Sequence, residues 1–468
     1  MIQISMNACL LNPIVQSLIM DKKDKSPLLC YATFASLLSG PSNSNNSTSQ
    51  LPPQISSLSI SSGIEGEAIT ITGTNFSNET NGNKVLFSNS VEATIDSFSS
   101  ESISVHIPIG AKSGQLTVTT QNGLATSSGS ITVYRYFVYA PGGTNANIYK
   151  LDINNGALTA ISGSPFANTP IGFFHPNGKF MYTSTGSGPP NNVIRYNVNN
   201  ETGQISLDNL TYGSANNYPT YLFFHPSGNF LYATNYTTLD ISAFSIDVSN
   251  GNLTKIGEYP TSCGCTDLAQ INVSTNGKFL YVTGNNPSQI IAFLLNQSTG
   301  IPSLAGSVAV PGSVDEVMIH PNSTFVYAVS SVGNISGASI NQTTGGLTLL
   351  SGSPFTGNNG NYRGAMHPSG NYLYTVNIVS APISVGKHNI ATDGSLSAVS
   401  NLSFGTNLQF VSLDPSGKYG FVNNGSGTNT FYEFSIDQNS GTASLLNGGS
   451  PINVIGNAGK VYSVRIAQ

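Results

Sequence analysis

Tryptophan is missing altogether, and charge is scarce. Lys, Arg, Asp and Glu make up 8% of 468 residues, against roughly 25% in an average soluble protein. The missing Trp argues against repeats of the WD type, whose signature contains that residue. Basic residues number 16 and acidic ones 21, so the positive surface that nucleic acid or an anionic membrane would require is absent. No apolar run reaches the roughly 18 residues of a membrane helix. Four cysteines, Cys9, Cys30, Cys263 and Cys265, are too few and too uneven for a disulfide framework. Cys263-Gly264-Cys265 is open to three readings: two loop thiols, a local disulfide, or half of a soft-metal site. No metal-ligand spacing or EF-hand-like loop occurs, and neither a metal nor another cofactor is expected. In place of charge the chain carries 49 Gly and 24 Pro with many Ser, Thr and Asn. Many turns and an uncharged polar surface suit an extracellular all-β protein.

One phrase recurs every 46–50 residues: HPNGKFMY (175–182), HPSGNFLY (225–232), STNGKFLY (274–281), HPNSTFVY (320–327), HPSGNYLY (367–374) and DPSGKYGF (414–421). A period of this length signals an array of supersecondary units. Around His225 the unit reads as four β runs, Tyr221–Phe224, Phe230–Thr234, Ile241–Ile246 and Asn252–Ile256. Turns at 225–228 and 249–251 join the first pair and the last pair. Four antiparallel strands per unit make a propeller blade. The second-strand phrase occurs seven times, from FVYA (137–140) to GFVN (420–423), but the first copy lacks a preceding first strand. The final VYSVRIAQ (461–468) supplies one. The expected architecture for 135–468 is a seven-bladed β-propeller closed by 461–468, leaving no open sheet edge.

Residues 52–134 read as a small β-sandwich, with short alternating runs separated by turns such as Asn81-Gly82 and Asn122-Gly123. GEAITITGTNFS (66–77), IPIGAKSGQLTVTTQNG (107–123) and the closing ITV (131–133) resemble the immunoglobulin-like TIG module, also called IPT. The resemblance implies a spacer or binding domain, with Gly73 as a turn glycine and Phe76 as a core aromatic. Before it, residues 1–51 contain DKKDKS (21–26) and SGPSNSNNSTSQ (39–50), the composition of a flexible tether. Ala8-Cys9 looks like a lipoprotein cleavage site whose signal would lie upstream of Met1, so Cys9 is expected to carry a lipid anchor.

The propeller region resembles the lactonase-type seven-bladed family, which includes phosphogluconolactonase-like enzymes and YVTN-repeat surface proteins. HPxGxxxY is the mark that carries the resemblance. Its His at 175, 225, 320 and 367 is replaced by Ser274 and Asp414, so the position reads as a turn-bonding group. Asp152, Asp247 and Asp437 end third strands and read as Asx-turn formers. Members of the family carry Pro-Arg-His before a first strand and Asn-Glu after a second. Here Asn361-Tyr362-Arg363 displaces the Arg by one residue, and Asn377-Ile378 lacks the carboxylate.

Four residues before each HP position lie Ile171, Tyr221, Gln270, Glu316, Arg363 and Phe410. These varied side chains are expected at the mouth of the central channel. Glu316 and Arg363 suit an ion pair between blades, or a mouth that orients a small polar ligand through Arg363. The resulting expectation is a non-catalytic, secreted or surface (lipo)protein whose propeller binds a protein, glycan or envelope ligand. It is read as a monomer that touches a membrane only through its anchor. The alternative is a lactone hydrolase or isomerase, with Arg363 holding the anion and Glu316 as base.

Overall fold

The computed structural model describes residues 51–468 without 185–191, 214–218, 358–360, 378–382, 405–407, 425–428 and 457–458, and without the side chains of 209–211, 213, 361–362 and 398–399. Cys9, Cys30 and the tether up to residue 50 lie outside the described residues.

Residues 53–468 form one compact unit. Its first part is a two-sheet sandwich. One sheet runs Gln54–Leu58, Ala68–Thr74, Ser102–His106, Ile95–Phe98, and the other contains Asn83–Leu86, Gly114–Thr120 and the start of Gly123–Gly142. Alternation puts Ile69, Ile71, Ile103, Val105, Leu116, Val118, Ile131 and Val133 in one buried core. Phe76 is in that core as expected. Gly73 is not in a turn: it lies within Ala68–Thr74, where a Cβ would meet the Gln54 carbonyl oxygen at 1.9 Å. Close approach of two strands demands glycine there.

The propeller follows with seven blades of four strands, and blades 4 and 6 add a short fifth, Phe355–Thr356 and Ile452–Asn453, beside their third strands. Blades 1 to 6 begin with the inner strands Phe173–Phe174, Pro219–Phe224, Asp267–Val273, Val314–Ile319, Asn361–Met366 and Leu408–Leu413. Blade 7 is assembled from both ends of the repeat region. Tyr462–Ala467 pairs antiparallel with the second half of Gly123–Gly142, from Tyr462↔Tyr139 to Ala467↔Tyr134. Asn145–Leu151 and Leu158–Ala160 complete it.

Two recurrent bonds join neighbouring blades. The buried second-strand tyrosines donate their phenol to a glycine carbonyl in the following blade's outer turn: Tyr182 to Gly251, Tyr232 to Gly300 (2.9 Å), Tyr281 to Gly345, Tyr327 to Gly394, Tyr374 to Gly441 and, across the closure, Tyr139 to Gly203. Those glycines have positive φ, 67–84°, so the turn demands glycine. The repeat histidines form the second bond. His225 Nδ1 accepts the Ser227 N–H, which leaves the proton on Nε2 to donate to the Gly277 carbonyl at 2.9 Å. His175, His320 and His367 act likewise on Gly228, Gly370 and Gly417. Burial pushes the imidazoles of His175, His225 and His367 down from their usual pKa, so they stay neutral in this role. The Asx turns form as read: Asp152, Asp247 and Asp437 accept the N–H two residues on.

The joint from blade 6 to blade 7 departs from the pattern. Phe421 stands where the tyrosine would be, so this position has no phenol to donate to Gly156. Facing Phe421 in the third strand is Glu433. The same position holds Arg195 in blade 1 and Lys387 in blade 5, which donate to the Asn250 and Ser440 carbonyls of the next blade's turn. Glu433 is 3% exposed and neither carboxyl oxygen has a partner among the described residues. Burial, with help from the Asp414 charge, pushes its carboxyl up to about 8.

The two domains share more than a linker. Strand Gly123–Gly142 runs from the sandwich into blade 7, and Ser62–Ile64 pairs parallel with it at Thr132–Tyr134. Glu65 accepts from Arg135 (2.9 Å), Lys150 (2.8 Å) and the Gly110 N–H (2.9 Å). Burial alone would raise its pKa, but these partners outweigh it and hold the carboxylate below its usual range. The Ser113 N–H bonds the Gln468 carbonyl at 2.9 Å, so the sandwich grips the closing strand's end.

Two outcomes follow. Tyr232→Phe leaves a buried carbonyl unsatisfied and lowers unfolding free energy in denaturant titration by about 1–2 kcal/mol. A Glu433 carboxyl whose folded pKa is near 8, against about 4.3 unfolded, binds its proton more tightly in the fold. Stability is therefore full at acid pH and falls as pH rises from about 4.3 through about 8. Thermal melts across that window will show this slope, and Glu433→Gln will lose it.

Candidate functional site

The central channel is lined by the inner strands, and its mouth is shaped by a repeated irregularity. In blades 2 to 6 the inner strand slips one residue against its partner, between Pro219/Tyr221, Leu268/Ile271, Val314/Glu316, Asn361/Arg363 and Leu408/Val411. A bulge of this kind inserts an unpaired residue and re-aims side chains, and bulges are common beside binding sites. In blade 4 it places two adjacent carboxylates, Asp315 and Glu316, at the mouth.

Glu316 is the hub. Its side chain is 4% exposed. Gln270 Nε2 and Lys460 Nζ each donate to Oε1 at 2.9 Å, and the Gly364 N–H donates to Oε2 at 2.7 Å. Gln270 in turn accepts the Val317 N–H at 2.8 Å. About a quarter of the Lys460 side chain is exposed. Burial pulls its ammonium down, but the charge and hydrogen bond of Glu316 more than offset this, and its pKa is raised. Tyr462, beside Lys460, Tyr221 and Glu316, is raised chiefly by burial.

Arg363 binds Asp315 Oδ2 at 3.2 Å, and its guanidinium lies 5.2 Å from the centre of the Phe410 ring. Asp315 is about a quarter exposed. Burial raises its pKa, Arg363 opposes the rise, and the nearby Asp267 and Glu316 add to it. Asp267 is held by Asn285 at 3.0 Å.

The mouth residues counted from the repeat thus fall into two groups. Gln270, Glu316, Arg363, Phe410 and Tyr221 share one neighbourhood with Lys460. Ile171 instead packs into the apolar cluster of blades 7 and 1. The ion pairs run Asp315–Arg363 and Glu316–Lys460, so the carboxylate on Arg363 is the neighbour of the expected one. Glu316 is a poor choice for a base because three donors occupy its oxygens. Asp315 and Lys460 escaped the repeat count for separate reasons. Lys460 takes the mouth position in blade 7, where no HPxG phrase exists to count back from. Asp315 is the residue the bulge adds. Cys263 and Cys265 are disulfide-bonded, which excludes both the free-thiol and the soft-metal readings. They precede the inner strand of blade 3.

Comparison with known proteins bears on the fold and the family. The model for the IPT/TIG domain matches residues 53–136. The model for the seven-bladed β-propeller lactonases matches 131–259, 241–357 and 283–448. A protein of Formosa agariphila named 6-phosphogluconolactonase is 24% identical over 306 residues, 60% of this chain and 86% of that one. A Bacteroides uniformis structure, provisionally described as a 6-phosphogluconolactonase, shares 17% identity with a TM-score of 0.61, over 71% of this chain and 99% of its own. The periplasmic gluconolactonase of Pseudomonas aeruginosa shares 14% with a TM-score of 0.57, over 71% and 99%. At such identities the structural likeness speaks for the fold alone, while the family match spans most of the chain. The protein belongs to the lactonase family of seven-bladed β-propellers and carries an IPT/TIG domain ahead of its ring.

Proposed function

We propose that the channel mouth hydrolyses the lactone of a sugar acid. Asp315 is the observation that carries this reading. It is a carboxylate kept more basic than usual by burial, open to the channel, and oriented by a guanidinium. As general base it takes a proton from water while the water oxygen bonds to the lactone carbonyl carbon. The carbonyl oxygen gains the negative charge, which Arg363 is placed to stabilise. On collapse the ring C–O bond breaks, and the ring oxygen recovers the proton from Asp315. The product is the open hydroxy acid. Family membership and the names of the relatives support this activity. It differs from the non-catalytic reading, which rested on the displaced motif around Arg363 and on the lost Asn-Glu pair.

A place outside the cytoplasm is part of the proposal. The Cys263–Cys265 disulfide is a bond that persists mainly in oxidising compartments. The low charge and the Ser/Asn-rich segment before the sandwich agree with it. Lipidation at Cys9 would then tether the molecule at a cell surface.

In assays on sugar-acid lactones, corrected for spontaneous opening, Asp315→Asn is expected to lower kcat by roughly a hundredfold or more. Arg363→Ala would lower kcat/KM, and Glu316→Ala would act mainly through stability. An Asp315→Asn variant as active as the parent would sink Asp315 as the base. Separately, expression with radiolabelled palmitate followed by fractionation checks the anchor. The expected result is label in the membrane fraction that is lost in Cys9→Ser.

A further inference from the structure

The electrostatics of the mouth bear on which lactone it takes. By sequence, the stretches that join second to third strands and fourth strands to the next blade contain one basic residue, Lys460. The inner strand of blade 5 adds Arg363. Each of these two cations already has a carboxylate: Arg363 meets Asp315 at 3.2 Å and Lys460 meets Glu316 at 2.9 Å. Asp267 adds a third carboxylate to the neighbourhood. With Asp315 ionised, the mouth therefore has no surplus of positive charge among the described residues to offer a ligand. Elsewhere in the ring the basic residues are engaged or remote: Arg195 with Asp208, Lys255 with Glu258, and Lys387 with the Ser440 carbonyl.

A phosphomonoester brings nearly two negative charges and three strong acceptor oxygens. Proteins that select it provide uncommitted Arg or Lys, often bidentate. Seating it at this mouth would set it against Asp315, Glu316 and Asp267, or break ion pairs that keep buried carboxylates satisfied. An uncharged lactone meets no such penalty. Its hydroxyls can exchange hydrogen bonds with Gln270, Tyr221 and Tyr462, and its ring face can lie against Phe410.

We infer that the substrate is an unphosphorylated, uncharged aldonolactone, and that the paired carboxylates reject the phosphorylated form. The inference rests on the lactone reading above and narrows it. Unpaired charge placed against a competing ligand is a common route to specificity.

The test compares glucono-δ-lactone with its phosphomonoester on the full chain. The expected kcat/KM ratio favours the uncharged lactone by about tenfold or more, equivalent to roughly 1.4 kcal/mol. Glu316→Gln, which frees the Lys460 charge, narrows that ratio. Because this variant is exposed to misfolding, inhibition of the parent by inorganic phosphate provides a second measure, and none is expected at millimolar levels. Preference for the phosphorylated lactone, or phosphate inhibition at such levels, overturns the inference. If neither lactone is hydrolysed, the reaction itself is wrong. Calorimetric binding of the two lactones then still decides the charge question: tighter binding of the uncharged one upholds it, and equal binding, tighter binding of the phosphorylated one or no binding of either defeats it.

Discussion

A ring of sheets has no closed core of its own; it stands only if every blade grips the next. The grip here is a buried phenol donating to a left-handed glycine's carbonyl, repeated at six of the seven joints. Each bond satisfies a turn carbonyl that would otherwise be buried and unpaired, a loss that costs more than the net gain of an ordinary hydrogen bond. The imidazole bonds reinforce four of the joints in the same way. The tyrosine, the histidine and the two glycines are thus parts of one device. Their recurrence in sequence is the requirement of repeated joints.

The exception sits beside the closure. Blade 7 is made from two distant parts of the chain, and the blade before it carries Phe421 in place of the phenol, facing Glu433, whose carboxyl has no partner among the described residues. The sandwich compensates from outside. It shares a strand with blade 7, anchors Glu65 on Arg135 and Lys150, and holds the Gln468 carbonyl. The TIG-like domain therefore braces the ring where the chain closes it, a role that a mere spacer would not fill.

The channel mouth is built on the same inner strands but on the residues that vary among them. Uniform positions serve the joints, and varied positions are free for chemistry. Blade 4 contributes two carboxylates through its bulge, blade 5 a guanidinium, and blade 7 an ammonium and a phenol. Low overall charge makes these few groups count, because little else on the mouth side competes with them.

The period, the seven second-strand phrases and the alternating runs were legible because strand pairing and turn chemistry are local and must recur. The repeat count also pairs residues that meet across neighbouring blades, Gln270 with Glu316 and Arg363 with Phe410. Gly73 shows the limit: its residue type marks a constraint, but only the approach of Gln54 shows which one. By itself the sequence determined a ring of sheets with a sandwich ahead of it and a surface poor in charge. Which carboxylate meets which cation was decided by tertiary structure. A one-residue bulge moves Asp315 to the mouth and alters the side-chain alternation there, and Lys460 reaches Glu316 from 144 positions away only once the ring has closed.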